Sequence, residues 1–111
     1  MRLSIQDGAE ADILLQVEWY FEQGLPVIAR RFSASMANAL RGIMSMPLAA
    51  SPRHTGNPAL SGLRTWPIRG FPEHRLYYVL RDDVLIVVRM LHDKRDSGAI
   101  LVGQTIEEPG T

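Results

Sequence analysis

Seven basic side chains and a histidine crowd the C-terminal half of the chain: Arg64, Arg69, Arg75, Arg81, Arg89, His92, Lys94 and Arg95. The densest part, RMLHDKRD (89–96), directly follows the apolar run VLIVV (84–88). A strand that ends in such a cluster offers two kinds of chemistry. A cationic patch can grip phosphates and stabilise charge that develops during cleavage. The same arginines can instead form a salt-bridge set with Asp82, Asp83, Asp93 and Asp96. Strand alternation places Arg64 on a face with Trp66 and Ile68, and Arg89 with Leu85, Val87 and Leu91. An arginine on an apolar face needs a carboxylate or carbonyl partner, or a route to water.

Other chemistries find little footing. The glycines never fall into a phosphate-loop or dinucleotide pattern. His54, His74 and His92 lack metal-ligand spacing, and the chain has no cysteine, so neither a metal nor another cofactor is expected. No serine sits in a nucleophile elbow. Glu18 and Glu22 share a helix face, an arrangement more typical of a solvated edge than of a carboxylate pair at work.

Net charge is zero but unevenly spread. Residues 1–29 carry one arginine against five carboxylates, residues 30–81 eight arginines against Glu73, and residues 82–111 three basic against six acidic groups. A general nucleic-acid binder needs a strong positive excess, so sequence-specific nucleic-acid binding is not expected. No apolar run is long enough to span a bilayer, and the N-terminus lacks the basic start and apolar block of a secretory signal. These features point to a cytoplasmic chain.

The elements that must position the cluster follow from periodicity. MRLSI alternates as a short strand. Residues 9–23 place Ile13, Val17 and Tyr20 at helical spacing, with Glu10 and Asp12 in the first turn, and Gly24 supplies a stop. Pro26 opens a second helix with Ala29, Phe32, Met36, Leu40 and Ile43 on one side. Residues 46–62 read as a surface loop. Three strands follow at 63–68, 74–80 and 84–91, the last two joined tightly through Arg81-Asp82-Asp83. Unbroken apolarity makes VLIVV a central strand covered on both sides. The order β-α-α-β-β-β predicts an α+β domain over 1–102, a helical hairpin packed on a mainly antiparallel sheet. Residues 103–111 read as a flexible tail.

The stretch LSGLRTWPIRGFPEHRLYYVLRDDVLIVVRMLHDKRD resembles the C-terminal half of ParE-type toxins. These are members of the RelE/ParE superfamily of type II toxin–antitoxin systems, also called plasmid stabilisation proteins. G-L-R before a strand, the W-P-I-x-G-F turn, Tyr77-Tyr78 and R-x-L-H-x-x-R-D carry the resemblance. A-x-x-D-I-x-x-Q (9–16) and A-x-x-F (29–32) extend it to residues 3–102. It implies a RelE/ParE-like fold and a bacterial toxin silenced by a cognate antitoxin. ParE-like members block DNA gyrase, whereas RelE-like members cut mRNA on the ribosome.

Lys94-Arg95 stands where RelE-type nucleases keep a basic pair, yet SGAILVGQ downstream has no tyrosine where those enzymes place a catalytic one. The missing tyrosine and the neutral charge favour the ParE activity, with no catalytic residue expected. The nuclease alternative would use Arg64, His92 and Arg95, His92 as general acid or base. A homologue that binds antitoxin without harming the cell is a third reading. The expected target-binding residues are Arg89, His92, Lys94 and Arg95. The expected contacts to a ParD-like, ribbon-helix-helix antitoxin in a hetero-oligomer are Trp19, Trp66, Arg64 and Tyr78, with an amphipathic antitoxin segment laid over apolar surface.

Overall fold

The computed structural model describes residues 1–107. The chain runs β1 (Arg2–Ile5), α1 (Asp7–Glu22), α2 (Pro26–Ser45), β2 (Ser51–Pro52), a 3₁₀ turn (Pro58–Leu60), β3 (Arg64–Pro67), β4 (His74–Arg81), β5 (Val84–His92) and α3 (Ser97–Val102). Its sheet has the order β1-β5-β4-β3-β2. The first strand lies parallel against the last, Leu3 beside Leu85 and Ile5 beside Val87, while the other pairs are antiparallel. The expected α+β order is present. Three short elements join it, β2 and the 3₁₀ turn inside the expected loop and α3 after the charged cluster.

Local chemistry explains the hairpin. Gly24 adopts φ 72°, and the N–H of Leu25 reaches back to Tyr20 O at 2.9 Å, closing α1 with a left-handed residue. Pro26 then opens α2 where its missing N–H is harmless. Asp7 and Glu10 occupy the first turn of α1. The helix starts earlier than its apolar spacing implies, so Asp12 lies beyond the first turn. Asp82 takes φ 54° in the tight link between β4 and β5, a conformation that aspartate tolerates better than most residues.

The sheet is buried on both faces. Phe32, Met36 and Ile43 of α2 pack with Leu76, Tyr78, Leu85 and Val87 on one side. Tyr77, Val79, Ile86 and Val88 form the other core with Leu60, Leu63 and Leu101. VLIVV is therefore apolar throughout because alternate residues feed two cores. A bulge interrupts β5: Tyr78 pairs with Val87 but Tyr77 with Arg89, leaving Val88 as the extra residue. This changes the expected face. Leu91 belongs to the core opposite Leu85 and Val87, because the inserted residue inverts the alternation beyond it.

No helix among the described residues is long and apolar enough to cross a membrane. The segment after α3 is hydrogen-bonded as far as Glu107, whose N–H donates to Gln6 Oε1 at 2.9 Å. Residues 108–111 of the expected flexible tail lie outside the described residues.

Gly42 of α2 faces the indole of Trp66, and a Cβ there would stand 2.8 Å from Trp66 Cζ2. Gly42→Ala gains roughly 1 kcal/mol of helix propensity but overpacks the helix against a rigid ring, which costs about 1–3 kcal/mol. A net fall in the urea midpoint is expected. Combining it with Trp66→Phe should recover part of the loss, and full additivity of the two changes would contradict the steric explanation.

Candidate functional site

β1 ends at Ile5, where Gln6 donates its N–H to Val87 O at 3.0 Å. β5 runs on to His92 with no strand on that side among the described residues. α1 turns back along this open edge and brings Asp12 to it. Arg89 donates to Asp12 from Nε and Nη2, both at 2.7 Å, and the backbone N–H of Met90 donates to the same carboxylate at 3.1 Å. Arg89 Nη1 reaches Gln104 Oε1 at 3.2 Å. The bonds to Asp12 raise the pKa of the guanidinium further. Gly8 leaves room for this side chain, since a Cβ there would lie 3.2 Å from Arg89 Cδ. Arg89 is thus a paired, partly buried cation that ties α1 to the sheet.

Beside the pair lies an open groove of about 610 Å³ between α1, the ends of β4 and β5, and the approach to α3. Leu15 and Trp19 form one wall and are 64% and 49% exposed. His74, His92, Arg95 and Ile100 line the other parts. The two histidines oppose one another across β4 and β5, rings edge to face with centroids 5.7 Å apart. His74 also meets Phe32 edge-on at 6.0 Å. Burial, and next the neighbouring His92, lower the pKa of His74. Arg95 donates its backbone N–H to His92 Nδ1 at 3.1 Å, which leaves the proton of a neutral ring on Nε2.

The turn that carries the basic pair is anchored from beneath. Asp93 accepts from Tyr77 Oη at 2.5 Å and Arg53 Nη1 at 3.2 Å, and Ser97 Oγ donates to the Asp93 carbonyl. Burial and the bond to Asp93 push the Tyr77 pKa up to about 12. Lys94 and Arg95 stand exposed on this corner, Arg95 against Asp96 at 3.2 Å.

The structure brings His92, Arg95 and Trp19 together around one groove, with Arg89 below them. It does not bring Arg64. That residue sits opposite Tyr78 on β3, four residues along from the paired His74 and His92, a separation of roughly 13 Å along the strands. Its Nη1 donates to Ala50 O at 2.8 Å and Leu48 O at 3.3 Å. Tyr78 is fully buried, with its hydroxyl on Pro47 O at 2.5 Å, and Trp66 packs half-buried against Gly42. All three hold the 47–50 segment and α2 in place. Of the proposed acid partners, Asp93 and Asp96 are used; Arg89 takes Asp12 instead of a local aspartate, and Arg81 binds the carbonyl of Ser61 at 2.9 Å. Among the described residues no cluster of three or more His, Cys, Asp or Glu could hold a metal ion.

Asp12→Asn keeps the shape but removes the charge opposite Arg89. A loss of about 2–4 kcal/mol in urea unfolding is expected, because one partner of a largely desolvated pair is left alone. His74 yields a pH dependence. Its folded pKa lies below the 6.5 of the free ring, so the unfolded chain takes up the proton first. Stability should fall as pH drops below about 6.5, and this loss is complete once pH passes below the folded value. His74→Gln should flatten the unfolding midpoint plotted against pH across that window.

Comparison with known proteins agrees with this architecture. The model of the family "ParE toxin of type II toxin-antitoxin system, parDE" matches residues 3–97. A chain from the chromosomal ParDE TA system from P. aeruginosa superposes with TM-score 0.68 at 15% identity, covering 83% of this chain and 95% of that one. Comparison with curated protein sequences gives no match. An α-helical hairpin on a β1-β5-β4-β3-β2 sheet, matched over nearly its whole length by that family model, places this chain in the ParE toxin family of parDE type II toxin–antitoxin systems.

Proposed function

We propose that the chain poisons DNA gyrase by binding it, without nuclease chemistry of its own, and is neutralised by a ParD-like antitoxin. The observation that carries this reading is the state of the groups a nuclease would need. Arg64 is spent on the carbonyls of Leu48 and Ala50, away from the groove. His92 offers no free lone pair for a general base, because Nδ1 accepts the Arg95 N–H. Tyr77 is committed to Asp93 with a pKa near 12, and Tyr78 is buried. What remains exposed is a recognition surface: Lys94 and Arg95 on a braced corner. The solvent-facing Trp19 and Leu15 are suited to an apolar face of an antitoxin helix.

Purified chain should inhibit supercoiling by gyrase and accumulate cleaved DNA, while transcripts from induced cells stay intact. Cuts at fixed codon positions would mean that His92 and Arg95 act as an mRNA interferase. An absence of any growth defect would leave an antitoxin-binding homologue. Trp19→Ala should weaken antitoxin capture about tenfold or more, as loss of an aromatic anchor does, with the unfolding midpoint little changed because the indole is half exposed.

A further inference from the structure

The face of the hairpin turned away from the sheet carries charges of both signs that form no ion pair among the described residues. On α1, Asp7, Glu18 and Glu22 are exposed, with Leu14 and Ala11 between them. On α2, Arg30, Arg31 and Arg41 are exposed, with Val27 and Ala34 between them. Opposite stripes of the same helices turn inward, buried Ala9 with partly buried Ile13 and Val17 on α1, and buried Ala29, Phe32 and Met36 on α2. Helical periodicity therefore directs both exposed stripes outward, side by side. None of these carboxylates or arginines forms an ion pair among the described residues; Arg41 bonds only Asn38.

The two stripes are in register. α1 and α2 run antiparallel about the turn at Gly24, so residues equally far from it stand at equal height. Glu18 is level with Arg30, Leu14 with Ala34, and Asp7 with Arg41. A uniformly acidic partner would repel α1, and a uniformly basic one would repel α2. A second copy, turned about a two-fold axis running along the hairpin, lays its α1 over α2 and its α2 over α1 at matching heights. Glu18 then faces Arg30 and Asp7 faces Arg41, Leu14 lies between them with Ala11 and Ala34 permitting close approach, and Phe21 and Val27 meet near the turn.

We infer that this hairpin face is a self-complementary interface through which two copies of the chain associate. The face is smaller than the roughly 20–30 residues a side of a standard interface, so the dimer is a weak one with a dissociation constant in the micromolar range. Its charged contacts lie at the rim, and added salt weakens it.

Sedimentation equilibrium of the purified chain tests this. A reversible monomer–dimer equilibrium is expected, with affinity falling several-fold when salt is raised from about 0.05 to 0.5 M. Arg30→Glu with Arg31→Glu makes both helices acidic, and Glu18→Arg with Glu22→Arg makes both basic. Each variant alone should dimerise about tenfold more weakly or worse. An equimolar mixture of the two should associate at least as tightly as the parent, since every contact is again between opposite charges. All these positions are exposed, so circular dichroism and the unfolding midpoint serve as controls for folding. A chain that stays monomeric to about 100 µM, or a mixture that does not reassociate, overturns the proposal. So does a monomeric chain whose arginine variant loses antitoxin or gyrase instead, which would give the face to that partner.

Discussion

Asp12 does three things where β1 stops short of β5. β5 outruns β1, and the exposed edge would otherwise leave a backbone N–H of a central strand without a partner. The carboxylate takes that N–H from Met90 and grips Arg89 at two points. Both charges are largely shielded from water, with 14% and 21% of their side chains exposed. Such a pair gives orientation as much as stability, because its desolvation offsets much of its Coulomb attraction. The angle of α1 against the sheet, and hence the position of Leu15 and Trp19 over the groove, depends on it.

The groove's far side is fixed by a different device. Here Tyr77 passes through the sheet's reverse core and emerges to hold Asp93, with Arg53 and Ser97 completing the network. The basic corner is thus braced from one core and the apolar wall from the other. The bulge at Val88 joins the two arrangements, since it turns Arg89 to the edge while returning Met90 and Leu91 to opposite cores. A corner braced in this way holds Lys94 and Arg95 on an ordered backbone, so less conformational entropy is left to lose there.

Much of this was legible in the residues. The helical hairpin follows from the Ala29, Phe32, Met36 and Ile43 spacing together with Gly24 and Pro26, and the doubly covered strand from VLIVV. β2 was not, because two residues including a proline carry no period, and SGAILV is too short to distinguish a helix turn from a loop. The site was only half legible. Counting back from the Asp82-Asp83 turn pairs His74 with Leu91; the bulge alone sets His92 there. Nothing local marks Asp12 as the partner of Arg89, 77 residues away. The arginines on β3 and β4 suggested a patch, but carbonyls and Thr65 absorb Arg64, Arg75 and Arg81.

The parallel pairing of β1 with β5 has a consequence during synthesis. The first strand's neighbour is the last strand to be made, so a growing chain holds a completed helical hairpin with no sheet edge for β1 to join. Closing so long a loop is slow relative to forming local contacts. Neither Asp12 nor Trp19 meets its counterpart until His92 and Ile100 have left the ribosome. Nascent chains therefore carry no finished groove, which closes only at the end of translation.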